Sequence, residues 1–381
     1  MKVAASLPEM LAALVAIPSV SPEGNAGGTA AGEAALAGHL AALLRHAGAE
    51  VSLKSVQPGR PNLIARFAAR DRHAPVVAIV PHLDTVGVAG MTVEPFRPVI
   101  RDGRLYGRGA CDTKGPMAAA LWALLRWARS PAAARSRVTW VFAATMGEEE
   151  LSVGASALCA GGFQADFAVV LEPTDLRVVH AAKGVLRLWA DAAGRAAHGA
   201  TPERGRNAAY ELLPFLTACC DRLAPAFRAR RDPVLGPASL NVGIVRAGGE
   251  LNIVPDHATI GLDIRTHPQF DNAAALRRVR AEAAGLKLRI HRRGPAFSLP
   301  RSHPWVRRLA PHARGFATVP WFSDANVLNA HGIPAVAFGP GSIKQAHTKD
   351  EYIELTALQA GAEAFGNFIT SVSADEPTRQ S

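Results

Sequence analysis

The sequence predicts an α/β fold: a mixed, largely parallel sheet with helices on both faces, and a smaller α+β domain inserted into it. Three observations predict it. Four short, nearly continuous apolar runs, 76–80, 138–145, 167–171 and 335–338, have the length and composition of parallel strands covered on both faces. The segment 116–130 alternates Ala, Leu and Trp at helical spacing between the first two runs and stops at Pro131. From about residue 178 to 292 the pattern changes to the apolar–polar alternation of half-exposed antiparallel strands. The domain reading is therefore 1–178 with 293–381 as one domain and 179–292 as the insert.

Taken in order, residues 6–17 predict a short helix, with Ser6 as N-cap and Pro8 in the first turn. Residues 27–48 predict a second, with Leu36, Leu40, Leu43 and Leu44 as its apolar stripe and Gly48 as its stop. Strand-like runs follow at 51–56 and 62–67. The run 76–80 ends in His82-Leu83-Asp84, and 138–145 leads into Glu148-Glu149-Glu150. The run 167–171 ends in Glu172-Pro173. In the insert, 185–190, 239–245 and 258–264 alternate as strands, and 207–223 and 273–284 predict helices. The chain returns through 335–338, Gly339-Pro-Gly341 and His347, and closes on a helix near 355–369.

Composition bounds the function. At 381 residues the chain is long enough for two cores. Its 49% hydrophobic and 19% charged content is that of an ordinary globular protein. No apolar run is long enough to span a bilayer, and Pro8 and Glu9 interrupt any signal-peptide core, so a cytoplasmic, non-membrane protein is expected. Cys111, Cys159, Cys219 and Cys220 form no CxxC pair and fit a reducing compartment, with Cys111 a small filler in a tight turn. The net charge of +10 comes from 35 Arg and 7 Lys, scattered apart from clusters at 228–231 and 277–280. Without interleaved aromatic residues this reads as solvated surface charge with an attraction for acidic substrates, not as a nucleic-acid site.

The chemistry is at the strand ends. In open α/β sheets, sites form outside the carboxyl ends of the strands. Four runs here deliver acidic or imidazole groups to that edge. Each group alone has a plain structural reading: a polar strand end for His82 and Asp84, a turn residue or N-cap for Asp112, a solvated run for Glu148–Glu150, a loop histidine for His347. Together they suit a metal. His82 is a ligand, with Asp84 fixing its tautomer. One glutamate of the acidic run can bind metal while its neighbour acts as general base on an activated water. Two histidines and several carboxylates without thiolates suit zinc by default, with cobalt or manganese possible. His82, Asp112, Glu149, Glu172 and His347 fit two divalent ions with Asp112 shared.

Pro81-His-Leu-Asp-Thr85, Gly107-Arg-Gly-Ala-Cys-Asp-Thr-Lys-Gly115, Gly147-Glu-Glu149, Leu171-Glu-Pro-Thr174 and Gln345-Ala-His347 stand in the order of the M20 metallopeptidases and amidohydrolases, and the chain resembles that family over most of its length. The resemblance implies a zinc-exopeptidase-like fold. It assigns His82, Asp112 and Glu172 to one metal and Asp112, Glu149 and His347 to the other, with Glu148 as general base and Asp84 as orienting residue. It makes the insert a lid and dimerisation domain, so a homodimer is expected. His198, in Gly194-Arg-Ala-Ala-His198-Gly-Ala-Thr-Pro202, is similar to a family histidine that steadies the tetrahedral oxyanion, from the partner subunit in dimeric members. Asn252 and Arg265 resemble family substrate-binding positions, and Arg265 could hold a carboxylate; the glycine turn at Gly339 and Gly341 is, from its residues, a candidate backbone contact to substrate.

The segment 338–352 is similar to the acetylornithine deacetylase branch. Asn252-Ile-Val-Pro255 is more similar to the desuccinylase and carboxypeptidase branches, and Gly87 replaces the usual proline. The expectation is an N-acyl amino acid amidohydrolase of amino-acid biosynthesis. The alternatives are a succinyl-diaminopimelate desuccinylase or a carboxypeptidase or dipeptidase of the same family, and, from another class, a non-catalytic metal-binding protein, which would not need Glu148.

Overall fold

The four apolar runs form four adjacent parallel strands, and the sheet grows outward from them. The computed structural model describes residues 5–22 and 32–374, which divide into two units. The first holds the chain up to His180, Leu299–Ala317 and the residues from Ser323 on; the second holds Ala181–Ser298 and Thr318–Phe322.

In the first unit the order is Glu50–Gln57, Arg60–Phe67, Thr139–Ala144, Val76–Val80, Phe167–Leu171, Ala335–Phe338 and Val178–Ala182. The four in the middle run parallel, and the flanking strands pair antiparallel. The sheet is mixed and largely parallel at its centre, as the near-continuous apolar runs predict. Alternation assigns the two faces. Leu63, Phe67, Val77, Ile79, Trp140, Phe142, Phe167, Val169 and Phe338 share one buried core with Leu11, Leu14, Leu36, Leu40, Met117, Leu121, Phe365 and Phe368 of the helices. The opposite face presents smaller residues, Ala78, Ala143, Ala168 and Ala337, and the helices Val153–Ala160 and Asp324–Ala330 pack together there.

Trp140 shows how tightly the first face is specified. It lies edge-on to Trp127 and Phe368, and its indole Nε1 donates to Ser373 Oγ at 2.9 Å. Truncating such a residue costs about 3–5 kcal/mol.

Element ends differ from expectation for local reasons. The first helix is Leu7–Val15, with Ser6 Oγ accepting from Glu9 N. The second is Gly32–His46; the predicted residues 27–31 lie outside those described. Gly48, at φ +91°, does end it. The helix expected at 116–130 is Lys114–Ala128, because Pro116 falls in its first turn, where a missing N–H costs nothing; Thr113, at the N-cap position, donates from Oγ1 to Leu171 O at 2.9 Å instead of capping.

In the second unit, Ser239–Ala247, His257–Thr266, Gly184–Ala193 and Lys287–Gly294 form a four-stranded antiparallel sheet in that order. Its core takes Leu186, Leu188, Ile260, Leu262 and Ile264 from the strands and Leu212, Phe215, Leu276 and Val279 from two helices. Lys287–Gly294 is not predicted by the sequence. It is an edge strand whose Arg289-Ile-His-Arg-Arg293 stretch is mostly exposed and lacks apolar alternation. The helix expected at 207–223 is an α-helix only over Ala208–Ala218; a π turn at Cys219–Leu223 leads into Ala224–Arg228. Among the described residues no helix is long and apolar enough to cross a membrane.

Candidate metal centre

The parallel ladder continues past the ends of its strands and places the first candidate ligand. Thr145 N donates to Pro81 O at 3.0 Å and Leu83 N to Thr145 O at 2.7 Å, so His82 is carried on the ladder, buried at the sheet's carboxyl edge. Its Nδ1 lies 2.9 Å from the carbonyl of Asp84 and 3.4 Å from Asp84 Oδ1. A proton on Nδ1 satisfies that carbonyl and leaves the Nε2 lone pair facing Asp112 Oδ1 at 3.2 Å. The Asp84 carboxylate accepts from the backbone N–H groups of Glu148 and Glu149, each at 3.0 Å. One residue thus ties His82 to the acidic run.

Asp112 sits in a turn that a second buried carboxylate organises. Glu351 accepts from Gly109 N, Cys111 N and Asp112 N, each at 2.9 Å, and from Arg108 Nη1 at 2.6 Å. Cys111 is packed beneath the turn, where burial pushes its thiol well above the usual range and its Sγ lies 3.4 Å from Ser342 O. A protonated, enclosed thiol is a filler, not a nucleophile.

The acidic run opens the short helix Glu148–Leu151. Gly147 caps it in the left-handed region at φ +63°, a conformation glycine adopts at no cost. Glu148 is buried.

These segments bring His82, Asp112 and Glu149 together, with one ligand atom from each within 4.8 Å of the others. His347 joins them: its Nε2 is 3.0 Å from Glu149 Oε1 and 3.3 Å from Asp112 Oδ2. Asp112 therefore turns one oxygen to each histidine. Glu172 is buried in the same charge field but lies outside the tight triad. Burial first, then the charges of Asp112 and Glu148, hold its carboxyl well above the usual carboxylate range. Burial and Asp112 likewise raise Glu149. Burial opposes charge on His82, but hydrogen bonds to Asp112 and Asp84 outweigh it and hold the imidazole well above its ordinary value. Contacts to Asp112 and Glu149 push His347 up to about 10. Burial would raise Asp112, yet the two histidines keep it below its ordinary range.

Chemically, this is a set of mostly buried carboxylates with two imidazoles, His82 and His347, among the described residues facing them. Such a set needs further positive charge. The donors are nitrogen and oxygen without thiolate, and the facing pairs are spaced so that a cation can replace the shared proton. The residues fit a borderline divalent metal such as zinc.

The other expected site residues are placed as follows. Gly339 and Gly341 are buried beside this centre. A Cβ at Gly339 would meet Glu172 O at 2.7 Å, and one at Gly341 would meet Cys111 Sγ at 2.8 Å, so close packing also explains both glycines. His198, Asn252 and Arg265 belong to the second unit. His198 is exposed, its Nδ1 accepts from Ala200 N at 3.0 Å, and its segment pairs with that of Asn252 through Gly199 N to Asn252 O at 2.7 Å. The Arg265 guanidinium is engaged by Asp263, with Nε to Oδ1 at 2.7 Å.

Sequence reasoning missed Glu351, and also Asp324, whose Oδ2 accepts from Thr145 Oγ1 at 2.7 Å. It missed Lys114 too, a lysine buried so fully that desolvation lowers it to about 7 while its Nζ donates to Ile17 O at 2.7 Å. For Lys114 the available signal was a charged residue inside a glycine-rich stretch; Glu351, between Asp350 and Tyr352, offered none.

Residues 78–371 match the family model described as peptidase family M20/M25/M40. An acetylornithine deacetylase from Myxococcus xanthus is 30% identical over 311 residues, covering 78% of this chain and 80% of its own. Among solved structures, an M20 family metallo-carboxypeptidase from Sulfolobus solfataricus superposes with a TM-score of 0.82 at 17% identity, over 96% of this chain and 99% of the other. A Bacillus subtilis protein described as a dinuclear metal-binding peptidase of the M20 family superposes with a TM-score of 0.66 at 17% identity, over 96% and 97% of the two chains.

Proposed function

The chain belongs to peptidase family M20/M25/M40 and is a metal-dependent amide hydrolase; we propose that its substrates are N-acyl amino acids and that it removes the acyl group as an acetylornithine-deacetylase-like enzyme. The observation that carries the hydrolytic reading is Asp112, with Oδ1 toward His82 and Oδ2 toward His347. It supports two divalent ions, one held by His82, Asp112 and Glu172 and the other by Asp112, Glu149 and His347. The dinuclear description of the Bacillus subtilis neighbour supports the same count. The N-acyl reading is supported by the 30% identity to an acetylornithine deacetylase.

Bound metal would supply Lewis acidity toward the amide carbonyl and acidify a water molecule. Every other part of the reaction falls to residues of this chain. Glu148 takes the proton of the attacking water and returns it to the leaving amine nitrogen. Asp84 keeps the Nδ1 proton of His82 in place and, by accepting from the 148 and 149 N–H groups, holds the base and the ligand next to it in register. His198, from the partner subunit of a homodimer in which the second unit acts as lid and dimerisation domain, donates to the oxyanion. Asn252, Arg265 and the backbone at Gly339 and Gly341 bind substrate, with Arg265 exchanging part of its contact with Asp263 for a substrate carboxylate.

A desuccinylase or a carboxypeptidase or dipeptidase activity is the second reading, favoured by Asn252-Ile-Val-Pro255. A hydrolysis screen with added zinc or cobalt separates the two, using N-acetylornithine, N-succinyl-diaminopimelate, other N-acyl amino acids and dipeptides. N-acetylornithine and other N-acetyl amino acids should lead in kcat/KM; a lead by N-succinyl-diaminopimelate would favour the second reading. Turnover of dipeptides alone would overturn the deacylase reading, and no turnover of any amide by metal-loaded protein would leave a metal-binding protein.

A further inference from the structure

Of the three consecutive glutamates, Glu148 and Glu149 have roles in the reading above and Glu150 has none. Its Oε2 accepts from Arg60 Nη1 at 3.1 Å. Arg60 is buried at the start of its strand, and its guanidinium spreads over three partners. Nε and Nη2 both reach Glu33, the latter at 3.1 Å, and Nη1 also reaches Gln57 Oε1 at 2.9 Å. Glu33 Oε1 in turn accepts from Gly147 N at 2.9 Å. Two residues along the same strand, Asn62 accepts from Met146 N at 3.0 Å and donates to Gly154 O at 2.8 Å.

The turn 146–150 is therefore gripped from two sides. Asp84 holds the N–H groups of 148 and 149, while Glu33, Arg60 and Asn62 hold 146, 147 and 150. A forked guanidinium suits this job because it can bond two carboxylates at once in fixed directions, which a lysine ammonium does less well. With Arg60 engaging its carboxylate, Glu150 is committed to an ion pair on the strand side of the turn, while Glu149 pairs with His347.

We propose that Arg60 is a positioning residue for the metal centre: through Glu33 and Glu150 it fixes the turn that presents Glu149, and Glu150 is a tether, neither ligand nor base. The proposal rests on the reading of Glu149 as a metal ligand. Outer partners of metal ligands change affinity by about 10- to 100-fold when removed. The metal held by Glu149, Asp112 and His347 should feel the loss most, since Glu149 is the ligand this turn presents, whereas His82 and Glu172 are reached from other segments.

The test is metal binding to the full-length, metal-stripped protein, titrated with zinc against a competing chelator. Wild type should bind two ions. Glu150→Ala and Arg60→Gln should each weaken one ion by at least ~10-fold and leave the other within ~3-fold. Arg60→Lys should fall between wild type and Arg60→Gln. Adding Glu150→Ala to Arg60→Gln should cost less than ~2-fold more, because Arg60→Gln has already removed the contact that Glu150 makes with Arg60. Unchanged affinities, equal loss of both ions, or additive effects in the double variant would each overturn the proposal. Should Arg60→Gln not fold, Glu150→Ala alone decides by the same selective loss. Wild type that binds no metal would instead overturn the functional reading on which this rests.

Discussion

Proton release on metal binding is the sharpest consequence of the geometry. In the metal-free protein, Asp112 and Glu149 push His347 up to about 10, so at neutral pH its imidazole carries a proton on the nitrogen that a metal must take. Burial opposes charge on His82, but Asp112 and Asp84 outweigh it and hold it well above its usual value, so the same competition applies there. Asp112 is already ionised and releases nothing. For a ligand whose pKa lies above the working pH, apparent metal affinity rises about tenfold per pH unit, or about 1.4 kcal/mol, for each proton displaced. At pH ~7 a pKa of about 10 would weaken binding roughly 1,000-fold relative to the neutral imidazole. Half-exposed His347 is screened by solvent, which trims that factor but not the slope, as long as the pKa stays above the window. Affinity should therefore rise with pH between about 6.5 and 8.5, with a slope of at least one, and level off only above the histidine pKa. Calorimetry in buffers of different ionisation enthalpy should count at least one proton released per ion, and His347→Asn should lower the total by about one. Affinity independent of pH across that window, with no proton release, would refute the placement of the metals between these histidines and carboxylates.

Three further outcomes are expected. Glu148→Gln should leave zinc binding intact and lower kcat by about 10²- to 10⁴-fold, as loss of a general base does; unchanged turnover would remove Glu148 from the mechanism. Glu351→Ala strands three N–H groups and Arg108, so denaturant unfolding should show a loss of about 3–5 kcal/mol, and a loss below about 1 kcal/mol would contradict the buried network. Mixing His198→Ala subunits with Glu148→Ala subunits, each inactive alone, should restore part of the activity if His198 acts across a dimer; no recovery after subunit exchange would place it in its own subunit.

Much of the architecture is legible in the chain because it is written in short-range patterns. The four central strands are apolar runs bounded by Pro or polar residues, and a strand covered on both faces can have little else. Lys287–Gly294 escaped because an edge strand with its outer face in water needs no apolar alternation, only pairing with Gly184–Ala193. At the site, His82 and Glu149 follow the ends of central strands, where fold geometry directs attention, and Asp112 stands in a glycine-rich turn. Glu351 and Arg60 did not stand out. Their roles are to bond backbone or carboxylates that are distant in sequence, and no local pattern encodes a partner 239 residues away. The helix starting at Lys114 instead of Pro116 is a smaller case: proline marks the first turn, but not which residue of it.

The bond from Asp112 N to Glu351 also dictates an order of events during synthesis. Asp112 and the carboxylate that shapes its turn are separated by part of the first unit and by the whole of the second. A growing chain that has emerged only as far as Glu172 already holds His82, Asp112, Glu149 and Glu172, yet the Asp112 turn lacks its clamp and His347 has not been made. Thiol-free nitrogen and oxygen ligands in a loose arrangement compete poorly for zinc. The turn that presents Asp112 can therefore close only once residue 351 is available, and a fragment ending at Glu172 should bind zinc more weakly than the full chain.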